Sequence, residues 1–173
     1  MAHLTEQLAT LKSTQESFLD SRIRWIPNER WHITLAFLGE VQPERLPRIH
    51  DGLQLAAAAQ PVVDGLQLAG LGCFASVLWV GVQPTARFSP ADRLARAVQR
   101  SLRSGGLPIE RRPWRAHLTV ARLRDGRQLT ALPAIPELTD DQSPLWSIQE
   151  LVLVHSITGP DPSYEILQRY CLS

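Results

Sequence analysis

The segment "RWHITLAFLGEV", residues 30–41, has the look of a strand, yet it sets a histidine and a threonine two positions apart. Alternate residues of a strand share a face. On that reading His32, Thr34, Ala36 and Leu38 point one way, while Ile33, Leu35 and Phe37 point the other, toward a core. The segment "RAHLTVARLR", residues 115–124, repeats the pattern, with His117, Thr119 and Ala121 facing together against Leu118 and Val120. Each strand offers an imidazole and a hydroxyl beside a small alanine, which leaves room for something to sit there.

Two such histidines facing one another define a specific chemistry. With a reference pKa near ~6.5, one imidazole can be neutral and the other protonated at working pH. The neutral ring takes a proton from a nucleophile and the protonated ring gives one to a leaving group. Two hydroxyls donate hydrogen bonds to an oxyanion held between them. The set suits in-line displacement at phosphorus, and it requires no metal. The chain lacks the acidic or cysteine cluster that a metal site would want. The remaining histidines, His3, His50 and His155, have no threonine partner and are assigned structural or solvated roles.

The elements around the two motifs follow from periodicity and punctuation. Residues 3–19 form an amphipathic stripe through Leu4, Leu8, Leu11 and Phe18. "RIRWIP" is a short strand stopped by Pro27, and "WHITLAFLG" a strand ending at Gly39. A helix is expected over about 43–59, with Pro43 in its first turn. "PVVDGLQLAGLGCF" and "SVLWVGVQP" are two strands around a glycine-containing turn. "SPADRLARAVQRSLRSGG" is a helix with Ser89 as N-cap, Pro90 first and Gly105 as its stop. Residues 125–146 are rich in loop signals, and "SIQELVLVHSIT", "GPDPS" and "YEILQRYCL" close the chain as a hairpin. The order α, β, β, α, β, β, α, β, β, β gives an α+β fold of antiparallel sheets with helices outside. Each half carries a helix followed by a strand bearing H-x-T-apolar-A.

Composition bounds the remainder. With 173 residues and a 44% hydrophobic fraction, the chain can bury a core without disulfides or metal. Cys73 and Cys171 form no CxxC, so a reducing cytoplasm is the simpler setting. No signal pattern opens the sequence, and no apolar run approaches the ~20 residues of a membrane span. The net charge of +1 excludes a surface that traps polyanions everywhere. Eight arginines nevertheless lie between 100 and 127: Arg100, Arg103, Arg111, Arg112, Arg115, Arg122, Arg124 and Arg127. They form either a solvated basic face or a field that draws phosphate to the second motif. The five tryptophans are assigned mostly to the core, with Trp31 and Trp114 close enough to the motifs to border them. Phe74 is suited to stack on a base or to anchor its turn in the core.

The sequence resembles the 2H phosphoesterase superfamily, and within it the bacterial RNA 2′,3′-cyclic phosphodiesterases, or 2′-5′ RNA ligase-like proteins. "WIPNERWHITLAFLGEV", "LQLAGLGCF", "VLWVGV" and "RRPWRAHLTVARL" carry the likeness, with "SYEILQRY" matching more loosely. The resemblance implies one bilobal domain over residues 1–173, of two pseudo-symmetric α+β lobes around a central cleft with one HxT on each wall. It implies that His117 is the proton acceptor activating water and His32 the proton donor to the departing ribose 3′ oxygen. Thr34 and Thr119 would hold phosphate oxygens, and Arg122 would pair with phosphate. The implied reaction opens an RNA 2′,3′-cyclic phosphate to a 2′-phosphate end with no metal and no cofactor. RNA bearing such an end would be the partner of a cytoplasmic monomer. A 2′-5′ RNA ligase, a 2′-5′ oligonucleotide phosphodiesterase, or an RNA-end binding module with little turnover are the alternatives. Two features depart from the family. Strict alternation turns Arg122 away from His117 unless a bulge intervenes. The short apolar strand that precedes the first helix in the family has no match in these residues, so the expectation is either a start that lies further upstream or a sheet of one lobe that lacks a strand.

Overall fold

The computed structural model describes residues 23–84, 89–123, 144–157 and 163–173. The fold is α+β, with antiparallel strand pairs and, among the described residues, two α-helices. Backbone contacts divide the chain into two compact units: Met1–Ile33, Leu66–Thr85 and Ala116–Leu145 form the first, and Thr34–Gly65, Ala86–Arg115 and Trp146–Ser173 the second. The stripe over residues 3–19, most of the 125–146 loop, most of "GPDPS", and His3, Arg124 and Arg127 lie outside the described residues.

The first unit is built on β1 (Ile23–Trp25), β2 (Val63–Phe74), β3 (Val77–Gln83) and β4 (His117–Leu123). The strand order is β1-β4-β3-β2-β5, where β5 (Trp146–Ile148) and the start of β2 up to Gly65 belong to the second unit. Ser147 donates to Asp64 at the start of β2 over 2.5 Å. β2 and β3 are joined at Ala75 and Ser76, where Ala75 adopts φ 47. The turn therefore holds no glycine, contrary to expectation. The glycines lie inside β2 instead: Gly70, at φ 74, is the extra residue where the ladder slips between Ala69 and Leu71. Leu66, Leu68, Leu78, Val80, Val82, Leu118 and Val120 are all buried.

The second unit packs α1 (Leu46–Ala58) on α2 (Pro90–Ser104). Ile49, Leu53, Ala56 and Ala57 are the buried stripe of α1, and Ala91, Leu94, Ala95, Val98 and Leu102 that of α2. Gly52 lets the helices approach, and Ser101 Oγ donates to its carbonyl over 2.7 Å. The capping of α2 follows its sequence. Ser89 Oγ accepts from the Asp92 N–H, and Pro90 opens the helix. At the other end Gly106, not Gly105, takes the left-handed conformation at φ 82. Its N–H reaches the Arg103 carbonyl and that of Leu107 the Leu102 carbonyl, a Schellman closure over the buried Leu107. β6 (Glu150–Ile157) and β7 (Ser163–Cys171) pair as the expected hairpin. "SIQELVLVHSIT" is nonetheless two strands: it breaks at Gln149, and β5 and β6 enter different sheets. Among the described residues no helix is long and apolar enough to cross a membrane.

The segment quoted first is not a strand. Residues 31–39 enter no ladder, the chain bends at Leu35, and Phe37, expected in the core, is 73% exposed. Side chains rather than a neighbouring strand satisfy its backbone: Trp114 Nε1 donates to the Thr34 carbonyl and Gln99 Nε2 to that of Leu35, both over 2.8 Å. Alternation of facing needs the pleat of a paired strand, so it does not govern this stretch.

Gly106→Ala is expected to lower stability by about 1 kcal/mol. A Cβ in the left-handed region costs about 1–2 kcal/mol, partly offset by the lower entropy of an unfolded alanine. No atom lies within 4 Å of that Cβ, so the effect is backbone strain alone. Urea denaturation would show a lower midpoint with an unchanged slope; an unmoved midpoint would contradict the closure described. Burial raises the pKa of Tyr170, whose hydroxyl meets His50 Nδ1 at 2.6 Å. The folded chain then holds this proton after the unfolded chain has lost it. Stability is expected to be complete below about pH 10 and to fall as pH rises above it. Tyr170→Phe should flatten that alkaline slope in denaturation series.

Candidate active site

The β3–β4 ladder decides which side chains meet. Gly81 stands opposite His117, Val80 opposite Leu118 and Trp79 opposite Thr119; then Leu78 stands opposite Ala121 and Val77 opposite Arg122. Val120 is thus an extra residue, a bulge in β4. Directly opposed residues of antiparallel strands carry their side chains on one face. Val77, Trp79 and Gly81 alternate along an unbroken stretch of β3, with Leu78, Val80 and Val82 buried on its other side. His117, Thr119 and Arg122 therefore share a face. The exposures agree: His117 and Thr119 are half-buried, Arg122 is exposed, and Leu118 and Val120 are buried. The bulge reverses the parity that strict alternation gives Arg122. It also turns Ala121, expected beside His117, fully inward.

Aromatic rings wall this face. Phe74, the last residue of β2, stacks on Trp79 with centroids 4.9 Å apart. The His117 ring meets Phe74 edge-on at 5.3 Å and Trp79 at 6.1 Å. Phe74 is 36% exposed, so it is not an anchor buried in the core. Two glycines make the arrangement possible. Gly72 stands opposite Trp79, and a Cβ there would overlap the six-membered ring of the indole. Gly81 stands opposite His117, and a Cβ there would lie 2.7 Å from the Ala69 carbonyl oxygen. Trp79 and Gly72 were not legible as site residues, because their part depends on register; the alternation in "VLWVGV" was the available signal.

His32 is held by local bonds. After β1 the chain makes a 3₁₀ turn over Asn28–Arg30, and Trp31 Nε1 donates back to the Ile26 carbonyl over 3.0 Å. His32 Nδ1 lies 2.8 Å from the Arg30 carbonyl oxygen. A carbonyl only accepts, so Nδ1 carries the proton and Nε2 is the ring atom that takes up or releases one. The ring is exposed. His32 belongs to the first unit with His117, Thr119, Arg122 and Phe74, whereas Thr34 belongs to the second and is half-buried. Of the arginine run, Arg100, Arg103, Arg111, Arg112 and Arg115 fall in the second unit and Arg122 in the first. Arg112 pairs with Glu110 over 3.0 Å. His50 bonds Tyr170, and His155 lies 3.5 Å from Glu165. All five tryptophans are half-buried, so none forms a fully buried core residue. Among the described residues no three His, Cys, Asp or Glu side chains cluster as they would to hold a metal ion.

A family model described as the 2′-5′ RNA ligase superfamily matches residues 2–160. An RNA 2′,3′-cyclic phosphodiesterase of Geobacillus stearothermophilus is 33% identical over 156 residues, which cover 86% of this chain and 47% of that protein. The chain thus spans about half the length of that relative. One of the same name from Aeropyrum pernix is 31% identical over 152 residues, covering 84% of each chain. Among solved structures, a phosphoesterase matches with TM-score 0.75 at 24% identity, covering 100% of this chain and 93% of that one. E. coli LigT complexed with 3′-AMP matches with TM-score 0.74 at 23% identity, over 100% and 93% of the two chains. At such identities the structural likeness speaks for the fold.

Gly72→Ala is expected to push the Trp79 indole off its seat and disturb its stacking on Phe74. Overpacking of this kind costs about 1–3 kcal/mol. Near-ultraviolet circular dichroism and urea unfolding would register both effects. An unchanged aromatic spectrum with wild-type stability would mean that the indole does not lie over Gly72.

Proposed function

Because the chain belongs to the 2′-5′ RNA ligase superfamily, we propose that it is a metal-independent RNA 2′,3′-cyclic phosphodiesterase that opens the cyclic end to a 2′-phosphate. The observation that carries this reading is the shared face of His117, Thr119 and Arg122, set by the bulge in β4. The names of the relatives from Geobacillus and Aeropyrum support the substrate class.

In the proposed reaction His117 takes a proton from water. The water oxygen bonds to phosphorus in line with the ribose 3′ oxygen, and the bond from phosphorus to that oxygen breaks. His32 gives its Nε2 proton to the departing 3′ oxygen, leaving a 2′-phosphate monoester and a free 3′ hydroxyl. The Nδ1 bond to the Arg30 carbonyl supports this role, since it fixes which ring nitrogen exchanges the proton. Thr119 and Thr34 donate hydrogen bonds to the non-bridging oxygens, and Arg122 offsets their charge as it builds. Phe74 and Trp79 offer a ring surface to the base. With a 5′ hydroxyl in place of water the same displacement forms a 2′-5′ linkage, His117 taking the hydroxyl proton and His32 protonating the departing 3′ oxygen, and the two histidines exchange roles when that linkage is cleaved back to the cyclic phosphate; the superfamily's name supports that second reading. Both cysteines carry free thiols, which supports a reducing cytoplasm as the setting.

In EDTA the protein should hydrolyse a nucleoside 2′,3′-cyclic phosphate, and phosphorus NMR should find the product phosphate on the 2′ oxygen. His32→Ala and His117→Ala should each lower turnover by at least ~100-fold, the lower range for general acid–base groups. Full activity in either variant would defeat the mechanism. Tight binding of RNA ends with no turnover in the wild type would instead leave a binding module.

A further inference from the structure

Across the β1–β4 ladder Arg24 stands directly opposite Arg122. Arg122 is in turn opposite Val77, so both guanidiniums project from the face that bears Thr119 and His117. Both arginines are exposed, and among the described residues the ion pairs involve other side chains. Like charges set directly opposite on adjacent strands repel one another and destabilise the pairing. A fold keeps such a pair against that local cost where an anion neutralises it.

We propose that Arg24 binds the phosphate on the 5′ side of the terminal nucleotide, and so makes the site select an RNA end over an isolated nucleoside cyclic phosphate. The inference rests on the cyclic phosphate being held at His117 and Thr119. Strand order separates the tasks of the two arginines. Among the described residues β1 ends the sheet beside β4, so Arg122 on β4 lies between Arg24 and the strand that carries the motif's partners. A phosphate against Thr119 meets Arg122 first. Arg24 is based ~4.8 Å farther from the motif's partners, on the next strand. The Phe74–Trp79 stack is on β2 and β3, the opposite side of β4 from Arg24. The base and the 5′ phosphate of one nucleotide then diverge from the cyclic phosphate to two different walls, one aromatic and one cationic. A guanidinium fork suits a phosphodiester's two free oxygens.

The test is equilibrium binding by calorimetry of adenosine 2′-monophosphate and adenosine 2′,5′-bisphosphate to the full chain, with Arg24→Gln and Arg24→Lys alongside. The wild type should bind the bisphosphate about tenfold more tightly, the worth of one charged hydrogen-bonded contact. Arg24→Gln should abolish most of that advantage, and Arg24→Lys should restore part of it. The dependence of bisphosphate affinity on salt should weaken by about one phosphate contact in Arg24→Gln. Circular dichroism would confirm that the variants fold. Equal wild-type affinity for the two ligands overturns the proposal. So does an advantage that survives Arg24→Gln, or an equal loss for both ligands, which would put both guanidiniums on one phosphate. No turnover enters this measurement. A bisphosphate advantage lost in Arg24→Gln would therefore uphold the Arg24 site even in a protein that hydrolysed no cyclic phosphate, and only the reaction assigned above would fall.

Discussion

The pairing of β3 with β4 is the constraint on which the candidate catalytic face depends. Two-residue periodicity would let a strand present His117 and Thr119 together but would send the residue at 122 to the opposite side. One extra residue, Val120, changes that. The β-branched valine stays buried while the chain spends one more peptide on the same stretch of partner. The parity flips, Ala121 fills the core side, and Arg122 comes round to the polar face. A base or acid, a hydroxyl and a fixed positive charge are then mounted on consecutive stretches of one strand. Mounting them on a sheet rather than on loops limits how far they drift relative to one another.

The same ladder also fixes the aromatic wall, by leaving out side chains. Trp79 can lie across the sheet only because Gly72 opposite it has no Cβ, and β2 can approach Gly81 closely for the same reason. The bulge at Gly70 keeps Leu68 and Leu71 in step with buried Val82 and Val80 on either side of it. The cost of these glycines is backbone entropy, and what they gain is a ring stack touching His117 on two edges. An imidazole confined in this way has fewer orientations to lose when a substrate arrives, which is the entropic part of catalysis by positioning.

How much of this was legible in the sequence depends on whether a residue's neighbours were local. The cap at Ser89, the α2 stripe and the β2–β3 pairing rest on short-range rules, and the structure has them. Arg122 could be assigned to the site only through a resemblance, because nothing in "VARL" marks a bulge; a glycine would have, and β2 has one at Gly70 where β4 has valine. The first motif failed differently. "WHITLAFLG" has the composition of a strand, but a strand also needs a partner, and partners are set by residues far along the chain. Here Trp114 and Gln99 take its carbonyls instead. Arg24 was invisible for a related reason: an arginine in a short strand is bland until the residue opposite it is known to be another arginine.

The two histidines are consequently oriented by unlike means. His117 is held by a ladder and touched by two ring edges, restraints that act on the whole ring. His32 sits on irregular chain, and a bond from Nδ1 to a carbonyl two residues back helps to hold it, on a turn pinned by Trp31. Such a bond does what a ladder cannot, since it selects the tautomer. A proton donor must present a particular N–H to a leaving oxygen, so a fixed tautomer matters more for it than a rigid backbone does. A proton acceptor must keep a lone pair aimed at a small, mobile water, so restraint of the whole ring matters more. On this argument the difference in local structure between the two motifs is itself a reason to assign donation to His32 and acceptance to His117.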